Sequence, residues 1–487
     1  MMQFTLTNYA NGFYETVLRF IPAGQEVTFF DPQLQQAYTA AFPGDQLCLD
    51  HKQIRTLRMK LAEGYTTVLL AGFNNSCAAP YDDFRALTAA AGTALVKEKV
   101  ETLLIDRLDT ITFANEADLV CQLAATLPLC EYRFDAYLSR KSKVADHQVT
   151  LLADESSADA LQEGQVLAQS VMTARDLVNE LAEVLTPEEM ARKTVELGQQ
   201  CGFDVEVLDR QQCQELGMNL FLAVSRGSTL EPKFIIMRYQ GSRKNEAPIA
   251  LVGKGITYDS GGYNIKKSSM ESMRFDMNGG AAVIGAMCAI ARRKLPVNVV
   301  AAVAACENMV DADAFRNGEV IKSMNGQTVF VRNTDAEGRL TMADAMTWCI
   351  RSENPSELLE VAGLTGSVCS FYGSVCAATL SNDPAIFQRV TDLMPVTGEK
   401  YAAMPFFLEY RQQLSCPYAD LNNAPLNAPP GILAGFFLEA FSEGVPFMHV
   451  DFGAMPFTGR RSDGQPEGGT GFGVKTLYYY VKTRSAE

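Results

Sequence analysis

The chain has 487 residues, 47% hydrophobic and 20% charged, the composition of a globular protein with material for more than one core, and extensive disorder is excluded. Asp and Glu number 57 against 42 Lys and Arg, and the resulting charge of −15 would repel a polyphosphate chain, which argues against nucleic acid as a partner. With three histidines, none at ligand spacing from another, a His-rich zinc site is excluded, and twelve cysteines without a C-x-x-C pair, most of them inside apolar runs, predict reduced core thiols.

Residues 1–13 (MMQFTLTNYANGF) lack the cationic start and apolar core of a signal peptide, and no apolar run reaches 18 residues, so a cytoplasmic protein without a membrane span is expected. Strands are predicted at 65–73 (YTTVLLAGF), 100–106 (VETLLID) and 148–154 (QVTLLAD), with helices over 82–96 and around 116–127 between them. This alternation makes residues 1–157 a smaller α/β domain, and it contains no phosphate-binding glycine motif. From 158 to 185 the apolar residues keep helical spacing for about seven turns, predicting a long connecting helix. Thr186 followed by Pro187, Glu188 and Glu189 then reads as an N-cap and an acidic first turn, which opens a second domain over 186–487.

In that domain the runs KFIIMRYQ, APIALVGKGI, LPVNVVAAVAACE, QTVFVRN, SELLEVAGL and PFMHVDFG are apolar without alternation. Such strands belong in a mixed sheet covered on both faces, hence a larger three-layer α/β domain. Two strand-to-loop transitions carry most of the ionisable groups. In LVGKGITYDSGGYNIKK, Lys254, Asp259 and Lys266 accompany four glycines, and Asp276 follows just before a helix that opens with Gly279 and Gly280. In VFVRNTDAEGRLTMADAM, Asp335 and Glu337 stand two apart, and Arg339 follows. A plainer reading exists, since Thr334 and Glu337 have the T-x-x-E spacing of a capping box. The sum weighs against it: four carboxylates and three cationic groups at the ends of apolar strands are costly to bury without a shared partner. Hard divalent cations take such oxygen ligands, and two of them can serve metal-assisted hydrolysis, although zinc also accepts carboxylates.

Other motifs point elsewhere. Asp259-Ser260-Gly261-Gly262 matches the D-S-G-G of a serine nucleophile, but Tyr258 and Tyr263 flank it where glycine and proline would be wanted. The cluster Gly469, Gly471 and Gly473 lacks the strand and spacing of a dinucleotide site. His449, inside an apolar strand, reads as a hydrogen-bonded core residue, and the pattern around Met273 favours packing over a substrate contact.

The segments VGKGITYDSGG, DMNGGAAV and above all NTDAEGRL resemble the leucyl aminopeptidase family. The likeness runs from EYRFDAY (131–137) through ARDLVNE (174–180) to GTGFGVKTL near the end, and is weak before residue 130. GGYNIK and ADLNNAP (419–425) look most like the bacterial peptidase B branch of that family. The resemblance implies release of the N-terminal residue, leucine among others, from peptides by a homohexamer. It implies two divalent ions, Mn²⁺ or Zn²⁺, bridged by water or hydroxide.

Carried over by position, Asp259 and Glu337 bridge both ions, Asp335 completes one site, and Lys254 with Asp276 completes the other. Lys254 would then have to be neutral, although a free lysine side chain holds its proton up to a pKa of about 10.4. The resemblance gives Lys266 the developing oxyanion and Arg339 a bicarbonate-like anion, and places Met273 and the Leu364 carbonyl at the substrate. The family's D-V-A-T-L-T-G stretch reads here Glu360-Val361-Ala362-Gly363-Leu364-Thr365-Gly366, a departure expected to bear on pocket or subunit contacts rather than on the ligands. Two other readings remain: a serine hydrolase at Ser260, and a DNA-binding or regulatory protein that retains the peptidase fold.

Overall fold

The computed structural model describes all residues except 1, 11, 45–46, 142–145, 243–245, 427, 459–466 and 485–487. The described chain divides into two compact units, one within 1–169 and including 467, the other within 170–458 and 468–484. The long helix runs Ala158–Asn179, so residues 180–185, expected to continue it, lie outside. Thr186 caps the next helix, Pro187–Cys201, by accepting the Glu189 N–H at 3.2 Å.

In the first unit, six described strands form one sheet: β1 (Gln3–Thr7), β2 (Thr16–Pro22), β3 (Ile54–Lys60), β4 (Tyr65–Phe73), β5 (Thr102–Ile105) and β6 (Gln148–Leu152). Their order is β1-β6-β5-β2-β4-β3, parallel throughout except for the β3 edge. The three strands expected here are β4, β5 and β6. Of the others, β1 and β3 are amphipathic edge strands, and β3 (IRTLRMK) keeps only Met59 buried, whereas β2 (TVLRFIP) is a buried central strand whose apolar run is broken by the buried Arg19.

The second unit contributes β7 (Asp204–Leu208), β8 (Lys233–Gln240), β9 (Ile249–Asp259) and β10 (Asn298–Asn308). Two short strands, β11 (Val320–Lys322) and β12 (Thr328–Phe330), follow, then β13 (Glu357–Ala362), β14 (Ala377–Ser381), β15 (Tyr401–Ala403), β16 (Leu421–Asn422) and β17 (Phe447–Asp451). Eight of them make a mixed sheet of order β15-β14-β17-β13-β9-β10-β8-β7, while β11, β12 and β16 form a small sheet of their own. Both faces of the large sheet are covered, as continuous apolar strands require. Ala250, Val252, Val300 and Ala302 pack towards the helices Gly338–Glu353 and Pro430–Glu439. On the other face Gly253 lets the backbone of helix Asn278–Arg292 close in, since a Cβ there would stand 2.6 Å from the Gly279 carbonyl oxygen.

The parallel set β10, β9, β13 and β17 delivers its carboxyl ends to one edge. That edge is where α/β sheets form their sites. Here it carries Asp259, Asn308, Ala362 and Asp451 as the last strand residues.

One buried carboxylate braces this domain away from that edge. Asp344, fully buried in the helix Gly338–Glu353, accepts the backbone N–H groups of Leu220 (2.8 Å), Phe221 (3.1 Å) and Met324 (2.9 Å). Burial pushes its pKa up to about 7 against those three donors. Asp344→Ala strands the buried amides and should cost about 3 kcal/mol, read as a lowered urea midpoint. Because the folded protein holds this proton above the unfolded pKa of about 3.9, Asp344 lowers stability as pH rises from about 4 to 7. The variant should lack that part of the pH dependence, and parallel stability curves for the two proteins would contradict the assignment.

Candidate active site

At the end of β9, Asp259 is followed by Gly261 (φ +88°) and Gly262 (φ +59°), left-handed conformations that turn the chain back on itself. The loop closes when the Lys266 N–H donates to the Ser260 carbonyl at 2.9 Å. It thereby brings the Lys266 ammonium to Asp259 Oδ2 (2.7 Å) and Asp335 Oδ1 (2.5 Å). Lys254, five residues before Asp259 on the same strand, reaches Asp276 Oδ2 (2.6 Å) and Glu337 Oε1 (2.9 Å). Two ammonium groups thus bind together four carboxylates drawn from three separate segments.

Backbone proximity is as tight as the charge contacts. A Cβ at Gly338 would lie 2.4 Å from Lys254 Cε, so a side chain at that helix start would push the lysine out of place. Glu337 occupies the N-cap position of helix Gly338–Glu353 but makes no side-chain cap bond, and Thr334 instead donates its hydroxyl to the Gly261 carbonyl at 2.7 Å. The T-x-x-E spacing therefore does not produce a capping box here.

Burial sets the electrostatics. It pushes Asp259 up to about 6, assisted by repulsion from Glu337, and drives Asp276 well above the usual carboxylate range. Asp335 rises for the same two reasons as Asp259, desolvation and Glu337. Glu337 would also be raised by burial, but Lys254 and Lys266 outweigh it and hold its pKa below the ordinary value. Both lysines are raised, because the carboxylates around them overcome the desolvation that would neutralise them. Arg339, fully enclosed, is lowered by burial to about 10 and donates Nη1–H to the Asn423 carbonyl at 2.7 Å.

A divalent cation fits this set. Ligand oxygens of Asp259, Asp335 and Glu337 lie within 4.8 Å of one another, and Glu337 Oε2 is buried with no hydrogen-bond partner among the described residues. A stranded carboxylate oxygen inside a cluster of hard donors is what a shared cation would satisfy. A second group of three, His51, Cys77 and Asp83 in the first unit, fits less well. There His51 Nδ1 accepts the Asn74 N–H at 3.0 Å, so in the neutral ring Nε2 carries the proton, facing Asp83 at 3.0 Å rather than offering a lone pair.

Three asparagines that sequence reasoning did not single out suspend the 332–337 loop. Asn308 Nδ2 donates both to Asp259 Oδ1 (2.8 Å) and to the Thr334 carbonyl (3.0 Å), tying the two carboxylate loops together. Asn264 Oδ1 accepts the Thr334 N–H at 2.9 Å. Asn423 Oδ1 accepts the N–H groups of Arg332 and Asn333 at 2.9 and 3.2 Å, while its amide donates to the Asn333 carbonyl at 2.7 Å. Of these, Asn264 and Asn423 had a visible signal, as parts of GGYNIK and ADLNNAP, and Asn308 had none.

A cleft of about 910 Å³ opens over the cluster, a volume suited to a small ligand. Its walls include Met273, Phe275, Leu364, Cys369, Ala454 and Phe457 alongside Lys254 and the four carboxylates grouped around the lysines. Asp451 holds the Leu364 loop by accepting from Leu364 N (3.0 Å) and Thr365 Oγ1 (2.7 Å). Gly363 is packed against Asn278, whose Nδ2 a Cβ would approach to 2.8 Å, and Glu360 is wholly buried in a hydrogen bond with His449 Nδ1. His449 is therefore the bonded core residue expected of it. Ser260 donates to the Asn308 carbonyl at 2.7 Å, and among the described residues no histidine accepts from it.

Comparison with known proteins matches residues 172–478 to the cytosol aminopeptidase family, catalytic domain, and residues 24–141 to the N-terminal domain of the same family. The chain belongs to the cytosol aminopeptidase family. The family likeness thus reaches well before residue 130, where the motifs alone are weak. A probable cytosol aminopeptidase of Clostridium perfringens is 39% identical over 80% of this chain and 80% of its own. One of Fusobacterium nucleatum is 40% identical over 76% and 77%. Among solved structures, the bottromycin maturation enzyme BotP has a TM-score of 0.86 at 29% identity over 97% of this chain and 100% of its own, and a further structure of it is a complex with Mn.

This family is one of metal-dependent aminopeptidases, and the chain is an enzyme of that class. Among the described residues no helix is long and apolar enough to cross a membrane. Because Gly338 makes room for Lys254, Gly338→Ala should displace the ammonium and lower peptide hydrolysis by about a hundredfold, the scale of an ångström's misplacement. Far-UV circular dichroism should not change. Activity within twofold of the parent would mean that the Lys254 position is not critical.

Proposed function

We propose that this chain removes the N-terminal residue, leucine among others, from peptides with two divalent cations, Mn²⁺ or Zn²⁺, held by Lys254, Asp259, Asp276, Asp335 and Glu337. The observation that carries the reading is the convergence of three carboxylates, two buried and Asp335 half-buried, within 4.8 Å beside the Lys254–Asp276 pair, in a member of this family. Asp259 and Glu337 would serve both cations, Asp335 one, and Lys254 with Asp276 the other. Bound there, the cations supply Lewis-acid polarisation of the scissile carbonyl and a lowered pKa for the attacking water.

The remaining steps belong to the protein. Lys254 would enter as a neutral amine, giving up the proton it holds against Asp276 and Glu337, so loading is coupled to proton release. Lys266, kept cationic by its carboxylate neighbours, would donate a hydrogen bond to the oxygen on which negative charge develops. Arg339 would hold a bicarbonate-sized anion that relays the proton, its guanidinium fixed by Asn423 and its Nε without a partner among the described residues. Met273 and the Leu364 carbonyl would contact the substrate from the cleft wall.

In this reading residues 186–487 form the catalytic domain, 158–185 connect, and 1–157 form the N-terminal domain. The protein would work in the cytoplasm as a homohexamer. Support for a manganese centre comes from the complex with Mn of a protein of similar fold.

The test combines a peptide panel with metal analysis. Free-amine peptides should be cleaved with Mn²⁺ or Zn²⁺, N-acetylated copies should not, and EDTA should stop the reaction. Glu337→Ala should reduce turnover by more than about a hundredfold, beyond the loss caused by removing only an outer partner of a ligand, and should lower the bound metal below two per chain. Cleavage that persists in EDTA and in this variant would refute the two-metal reading.

A further inference from the structure

The cations of the cleft wall are not alike. Lys254 and Lys266 are each clasped by two carboxylates, and Arg339 is buried against the Asn423 carbonyl. Arg332, at the entrance to the same loop, is half-buried and lines the cleft. Among the described residues its guanidinium has no ion pair, and its Nε is buried without a hydrogen-bond partner. In a chain with 57 acidic residues and a net charge of −15, an arginine left without a carboxylate inside a cleft is conspicuous.

Arg332 is also pre-set. Its N–H is fixed to Asn423 Oδ1 at 2.9 Å, and its carbonyl accepts from Asn317 Nδ2 at 2.5 Å. The guanidinium carbon lies 5.8 Å from the centroid of the Phe330 ring, within the range of a cation–π contact. A planar fork with parallel donors is matched best by a carboxylate.

We propose that Arg332 binds a carboxylate on the leaving side of a short peptide, so that di- and tripeptides with a free C-terminus are the favoured substrates. The inference rests on the aminopeptidase reading, in which the acidic cluster takes the free amine. Reach is consistent with it: Arg332 and Asp335 are three positions apart, at most about 11 Å of chain, and an extended tripeptide spans about 10 Å. In this reading a peptide of that length would place its amine at the cluster and its carboxylate at the guanidinium, both of which line the one cleft. An aspartate or glutamate side chain after the scissile bond offers the same chemistry.

The test is the KM ratio between amide and free acid for Leu-Gly against Leu-Gly-NH₂ and Leu-Gly-Gly against Leu-Gly-Gly-NH₂, with Leu-Asp-NH₂ as a third arm. At least one free acid should have a KM roughly tenfold or more below its amide, the size of a charge-assisted hydrogen bond. Arg332→Leu should bring the ratio close to one, and Arg332→Lys should retain part of it. A merely structural lesion would raise both KM values by the same factor and leave the ratio standing. Tight binding of Leu-Asp-NH₂ would extend the site to acidic side chains, and weak binding would restrict it to the C-terminus. Equal KM values for acid and amide in the parent enzyme, or a ratio that Arg332→Leu does not change, would overturn the proposal. Silence toward every peptide with either metal would instead overturn the aminopeptidase reading beneath it.

Discussion

Burying like charges is the problem around which this catalytic unit is arranged. Asp259, Asp276, Asp335 and Glu337 crowd into one protein-walled space, and each raises the cost of ionising the others. Two lysines offset that repulsion, each bridging a pair of carboxylates from different segments. Carboxylates left without such partners would have to take up protons or be exposed to water. The parallel strands supply the place: ends that stop at one sheet edge bring distant segments together, while helices on both faces keep solvent from the flanks.

Offsetting charge does not fix geometry, and neutral amides do that work. An asparagine donates and accepts at once without adding charge, so it can join two acidic loops without altering the electrostatic balance. Asn308 does this between Asp259 and the Thr334 carbonyl, and Asn423 does it along 332–336 while its own carbonyl fixes Arg339. Glycines serve the complementary purpose where space is the constraint, as at Gly338 against Lys254 and at Gly261 near Asp335.

The sequence made the charged groups legible and their supports illegible, for a physical reason. Lys254, Asp259, Asp276, Asp335 and Glu337 stand out because ionisable side chains beside continuous apolar strands are improbable without a function. Strands such as 233–240 stand out because a segment buried on both faces must be apolar throughout. Short or exposed strands such as β3 and β15 carry no such requirement, and their composition is that of many loops. Asn308 and Asn423 act on residues 49 and up to 91 positions away, so no local window contains their partners.

The Thr334–Glu337 pair shows where local reasoning stops. Its spacing suits a capping box, and an isolated peptide would have little else for either side chain to bond. In the fold, Thr334 finds the Gly261 carbonyl and Glu337 finds Lys254, both delivered by β9 and its loop. The helix start is left with a glutamate at its N-cap that makes no cap bond, and that forfeited bond is small, about 1 kcal/mol. Tertiary charge pairing at a buried site is the stronger interaction, so it takes the side chain, and the local motif survives in the sequence without forming in the structure.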